Sequence, residues 1–123
     1  MTEKHLIRPD KLRKIPKQFN WVDHRLVQHH FIDGCSHASL ALYLFLVTVG
    51  DRLGLSYYSD KSLCSRLHMD HFELTLARKE LIKAKLIAYQ KPLYQILSLS
   101  PDTENRSRSG GMESIGQILR RLT

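Results

Sequence analysis

The feature that most constrains this chain is an apolar run from Ala38 to Val49, set directly behind Ser36 and His37. Crossing a bilayer takes about 20 apolar residues, so this run is too short to span one. The Ser36 hydroxyl can accept an orphan backbone N–H and so start a helix. The helix behind it, through Val49, is apolar nearly all round. Such a helix has little to offer water and is expected to be the central, most buried element. The rest of the chain must then wrap around it.

At 123 residues the chain suits one small core. Its 42% hydrophobic and 25% charged content excludes wholesale disorder, and the length excludes a multi-domain enzyme. The opening MTEKHLIRPDKLRK is basic, with no apolar stretch behind it, so no secretory signal is expected. Cys35 and Cys64 are the two cysteines, too few for a disulfide framework, and the expectation is free thiols in a reducing cytoplasm. Lys and Arg number 19 against 12 Asp and Glu, a net charge of +7. A small domain this basic points to a polyanionic partner.

Residues 1–18 carry Lys4, Arg8, Lys11, Arg13, Lys14 and Lys17 and two prolines, and read as a flexible or loosely docked arm. The core domain is expected over 19–99. A short helix at about 21–29 is expected to pack Trp21, Leu26 and Val27 onto the core, and Asp33-Gly34 reads as a turn. After the apolar helix, Leu55-Ser56-Tyr57-Tyr58 is a short strand. Ser59 starts a helix at about 60–67, and His68-Met69 breaks it. Asp70 caps the next helix, about 71–85, whose apolar positions Leu74, Ala77, Leu81 and Ile82 fall on one face. Ile87–Gln90 and Leu93–Leu99, around Lys91-Pro92, read as a β-hairpin, because Pro92 suits a turn better than a central strand. Residues 100–111, SPDTENRSRSGG, have a linker's composition. Residues 112–123 end the chain as a short amphipathic helix. Met112, Ile115, Ile118, Leu119 and Leu122 share one side of it and are expected to bind a partner: the domain itself, a second copy of the chain, or another protein.

The expected class is mainly α with a small β-hairpin. The order helix, strand, helix, turn, helix, hairpin resembles the winged helix-turn-helix proteins, and the residues carrying the likeness run from Ser36 to Leu99. SDKSLCSRLHMD looks like the second helix and turn, and HFELTLARKELIKAKLIAY like a recognition helix entering the first wing strand. Lys85 stands where a glycine commonly ends that helix. Among such proteins the chain resembles the N-terminal domains of DnaD-like and phage-type replication initiators, which also place an ALYLFL-like helix ahead of the helix-turn-helix. The resemblance implies binding to double-stranded DNA, in transcriptional regulation or in replication initiation, including that of a mobile element. The alternative is a winged-helix adaptor that recruits a partner protein through its C-terminal helix.

With Leu74, Ala77 and Leu81 turned inward, His71, Thr75, Arg78 and Lys79 turn outward. Arg78 can fork onto guanine O6 and N7, and Thr75 can touch a thymine methyl or a phosphate. Lys61, Lys79 and Lys83 suit phosphates, where a point charge suffices. Lys91, at the hairpin tip, can reach a groove or backbone, with Tyr89 and Tyr94 beside it as strand-packing residues. Glu80 has Lys83 within helical pairing distance. Cys35, His37, Cys64 and His68 form two pairs with metal-ligand spacing, but Cys64 sits at a core position, where cysteine behaves as a small hydrophobe. No metal or other cofactor is expected. Glycine-rich phosphate loops, nucleophile elbows and paired carboxylates are all missing from the sequence, so no enzyme is expected either.

Overall fold

Ser36, Ser59 and Asp70 each stand in extended backbone and accept a hydrogen bond from the backbone N–H three residues on, which starts three helices where the sequence places them. These are α2 (His37–Val49), α3 (Asp60–Leu67) and α4 (His71–Lys83), preceded by a single turn, α1 (Arg25–Gln28). The structure is a computed structural model that describes residues 4–99. Residues 100–111 and the amphipathic segment with Met112, Ile115, Ile118, Leu119 and Leu122 lie outside the described residues. Over residues 4–99 the chain is mixed α/β, with four α-helices and a three-stranded antiparallel sheet. No helix among the described residues is long and apolar enough to cross a membrane.

The α4 start is a capping box: Asp70 Oδ1 accepts from the Glu73 N–H at 2.7 Å, and Glu73 Oε1 accepts from the Asp70 N–H at 3.2 Å. Its end is a two-bond cap. The Leu86 N–H reaches the Leu81 carbonyl and the Lys85 N–H the Ile82 carbonyl, both at 3.0 Å. That geometry puts Lys85 at φ +63°, the left-handed region, so the lysine that stands in place of a glycine takes the glycine's conformation. His68, at φ +55°, ends α3 in the same way.

The core forms where α2 and α4 cross, with Leu42, Leu46, Leu74 and Leu81 fully buried, and Leu63, Leu86, Ile87 and Tyr94 closing it. The central helix is less enclosed than its composition implies, since Leu44 is 61% exposed. The strands are β1 (Leu55–Tyr57), β2 (Ile87–Gln90) and β3 (Leu93–Ile96). The expected hairpin is present, and β1 joins it: β3 lies in the middle of the sheet, with Ser56 and Tyr89 both opposite Tyr94. The strand expected at Leu55–Tyr58 and the hairpin thus form one three-stranded sheet beside the helices. Gly54 permits the join. It has φ +82°, and a Cβ there would stand 3.1 Å from the Ile96 carbonyl oxygen.

The N-terminal side departs further from expectation. Every residue from Lys4 to Val22 is exposed. The helix expected over 21–29 is only the turn Arg25–Gln28, which buries Leu26 and leaves Trp21 and Val27 facing water at 73% and 65% exposure. Polar contacts hold this segment instead. The Asn20 amide donates to the Thr48 and Gly50 carbonyls at 3.0 Å, and Arg25 pairs with Asp23 at 2.8 Å. With Asn20 fixed at the end of α2, Trp21 is carried past the core rather than into it.

Candidate nucleic-acid interface

Helix α4 turns Leu74, Ala77 and Leu81 into the core, which leaves His71, Phe72, Leu76, Lys79, Ile82 and Lys83 exposed on the opposite side. His71, Lys79 and Lys83 therefore stand where the sequence puts them. Thr75 is half-buried, and its hydroxyl donates back to the His71 carbonyl at 2.9 Å. Ile82, expected on the buried side, is 42% exposed.

Arg78 requires a correction. It does not project outward: its side chain is only 11% exposed, and both terminal nitrogens of its guanidinium are engaged. Nη1 donates to Asp60 Oδ1 and to the Tyr94 hydroxyl, both at 2.8 Å. Nη2 reaches Asp60 Oδ2 at 3.4 Å, and the guanidinium carbon lies 4.4 Å above the Tyr89 ring. Arg78 sits one residue round the helix from Ala77, on the flank that meets the hairpin and the start of α3. A flat cation there fits between a carboxylate and a tyrosine pair whose rings are 4.5 Å apart. Burial works against its charge most strongly, but Asp60 and the Tyr94 hydroxyl outweigh that and raise its pKa. The Arg78 hydrogen bond, opposed by partial burial, holds the Asp60 carboxyl below the usual range, with Arg78, His71 and Lys91 adding their charge. Arg78 thus clamps α3, α4 and the hairpin together, and so little of it is exposed that it does not present its fork to a base edge.

Lys61 on α3 and Lys91 in the hairpin turn are exposed, as is Lys85. Among the described residues the ion pairs engage Arg8, Arg25, His30, His71 and Arg78, and these lysines, with Lys79 and Lys83, are in none of them. Glu80 does not neutralise Lys83. Its carboxylate accepts from the Ser39 hydroxyl, and from the Ser36 N–H at 2.8 Å, which ties α4 to the start of α2. Those bonds, the Ser39 one first, lower its pKa.

Asp60, Tyr89 and Tyr94 were not expected from sequence as partners of Arg78, and nothing in a separation of 16–18 residues signals contacts such as those to Asp60 and Tyr94. Phe72, 69% exposed, and Leu76, 51% exposed, also stand on this outer face, apolar among the polar residues expected there. Their signal was legible, because both lie across the helix from the Leu74, Ala77 and Leu81 face. Among the described residues no three His, Cys, Asp or Glu converge as metal ligands. Cys35 and Cys64 are free and half-buried, and burial, with Glu80 adding to it, pushes the Cys35 thiol's pKa up.

No protein-family model matches the chain. Neither a curated protein nor a solved structure matches it significantly.

Proposed function

We propose that the chain is a winged helix-turn-helix protein that binds double-stranded DNA, with α4 as the recognition helix and the β2–β3 hairpin as its wing. The element order α2, β1, α3, α4, β2, β3 with β3 central supports the fold reading. The observation that carries the function is a set of exposed lysines that enter none of the ion pairs among the described residues: Lys79 and Lys83 on α4, Lys61 on α3, Lys85 just before the wing and Lys91 in its turn. Cations not taken up in ion pairs are available to phosphates, and each phosphate they neutralise releases a counterion. His71 and Thr75 face the groove beside them, and Arg78 serves the interface by fixing the wing relative to the helix. Regulation of transcription or initiation of replication, including that of a mobile element, is the setting such a domain suits.

A gel-shift series on genomic fragments at rising salt tests this. With about five phosphates neutralised, log K falls against log salt with a slope of about −4 to −5. Replacing Lys79 and Lys83 by Ala lowers affinity for all sequences alike and flattens the slope by about 2. No binding at low salt, or binding indifferent to salt, refutes the proposal.

A second reading rests on Phe72 and Leu76. Large apolar side chains at the centre of an exposed helix face suit a protein partner, as in a winged-helix adaptor. If Phe72→Ala abolishes capture of a protein while DNA retention is absent throughout, the adaptor reading stands in place of the first.

A further inference from the structure

Below α1, a cavity of about 350 Å³ opens between the N-terminal segment, α2, the β1 approach and the end of β3. Tyr43 and Val47 line its floor, and Trp21, Val22, Leu53 and Leu99 stand around it. Three of these are exposed apolar side chains: Trp21 at 73%, Leu53 at 67% and Val22 at 53%. An indole, a leucine and a valine set around an open hollow are costly to leave in water, and such patches mark places where something lies.

We propose that the occupant is the chain's own segment 112–122, seated by Met112, Ile115, Ile118, Leu119 and Leu122. The described chain ends at Leu99, which is 7% exposed and forms part of the cavity wall, so the remaining residues depart from the rim of the hollow itself. Between Leu99 and Met112 lie residues 100–111. A stretch of that length reaches about 40 Å when extended, and about 20 Å on average as a flexible coil. It can therefore fold back onto a site beside its own start without strain. The tether gives the segment an effective concentration of about millimolar order, well above that of a second copy in dilute solution. The charges at the rim balance, Asp23 and Asp51 against Arg25 and Arg52, so recognition falls to the apolar side. In helical register the five apolar residues of the segment form one such side, opposite Arg120 and Arg121. The volume accepts two or three aliphatic side chains, and the rest of the stripe lies along Trp21, Val22 and Leu53. This docking is independent of DNA binding.

Trp21 is the chain's only tryptophan and lines the cavity, so its fluorescence reports the occupant directly. The experiment compares acrylamide quenching and emission maximum in the full chain, in Ile118→Asp combined with Leu119→Asp, and in Leu53→Asp. Circular dichroism confirms that each is folded, and Leu53 is exposed enough to take the change without unfolding. Quenching severalfold weaker in the parent than in both variants, with emission shifted to the red in the variants, is the expected result. Equal quenching in all three overturns the proposal. So does protection that appears only as the protein is concentrated and follows dimer formation in sedimentation, because the occupant is then a second copy.

Discussion

Replacing Arg78 by alanine separates its clamp role from a base-reading role. The change removes the paired hydrogen bonds to Asp60 at 2.8 and 3.4 Å, the bond to the Tyr94 hydroxyl at 2.8 Å, and the stacking on Tyr89 at 4.4 Å. A hydrogen bond to a charged group contributes about 1.5–3 kcal/mol, and a sheltered cation–π contact about 1 kcal/mol. Tyr94 is fully buried and loses the partner of its hydroxyl. Asp60 is 27% exposed, and His71 lies 3.6 Å from it, so water and the imidazole recover part of what the carboxylate loses. The expected loss is about 2–4 kcal/mol, toward the low end of the cost of orphaning a buried charge. For a domain of this size that lowers the melting temperature by about 10–25 °C. Urea unfolding of the full chain, followed by circular dichroism, measures it. Arg78→Lys keeps the charge but not the fork and should fall between the parent and alanine. A double-mutant cycle with Asp60→Asn should return a coupling of about 1.5–3 kcal/mol. If Arg78→Ala is as stable as the parent and instead loses DNA sequence preference, the clamp is refuted and the arginine reads bases.

Leu81→Ala should lose about 2–5 kcal/mol in the same assay, because Leu81 is fully buried between α4 and the core and truncation leaves a cavity. Lys85→Gly should raise stability by up to about 1 kcal/mol, since glycine takes φ +63° without the strain a lysine bears there, and a loss instead would mean that the cap is not under strain. Acid should destabilise the fold. Asp60 is lowered by Arg78, and Asp23 by Arg25 to about 2. Carboxyls whose folded pKa is depressed stabilise the fold fully above about pH 5, and lose that contribution as pH falls through about 4 toward 2. Melting temperature should thus hold from about pH 8 to 5 and drop below about 4, with a shallower drop in Arg78→Ala. A steeper drop in that variant contradicts the assigned pairing.

Local chemistry was enough to place α2, α3 and α4, because each signal lies within a few residues of its effect. Ser36, Ser59 and Asp70 cap the helices they precede, Leu74, Ala77 and Leu81 repeat at helical spacing, and Pro92 interrupts two β-rich runs. The same periodicity put Lys79, Lys83 and His71 on the outer side of α4, and it held enough to place Phe72 and Leu76 there as well. Tertiary structure alone decided the partners of side chains that stand between two faces. Arg78 lies on the boundary of the buried side, and whether such a residue faces water or a neighbour depends on what packs beside it. Here a carboxylate from α3 and two tyrosines from the hairpin close over it, from 11 to 18 residues away in sequence. Glu80 met the start of α2 rather than Lys83 for the same reason. Trp21 shows the converse. Its hydrophobicity argued for the core, but Asn20 binds the carbonyls at the end of α2 and leaves the indole at the rim of a cavity. Periodicity records which way a residue points from its own helix, while the neighbour it meets is set by chain crossings that no short stretch of sequence contains.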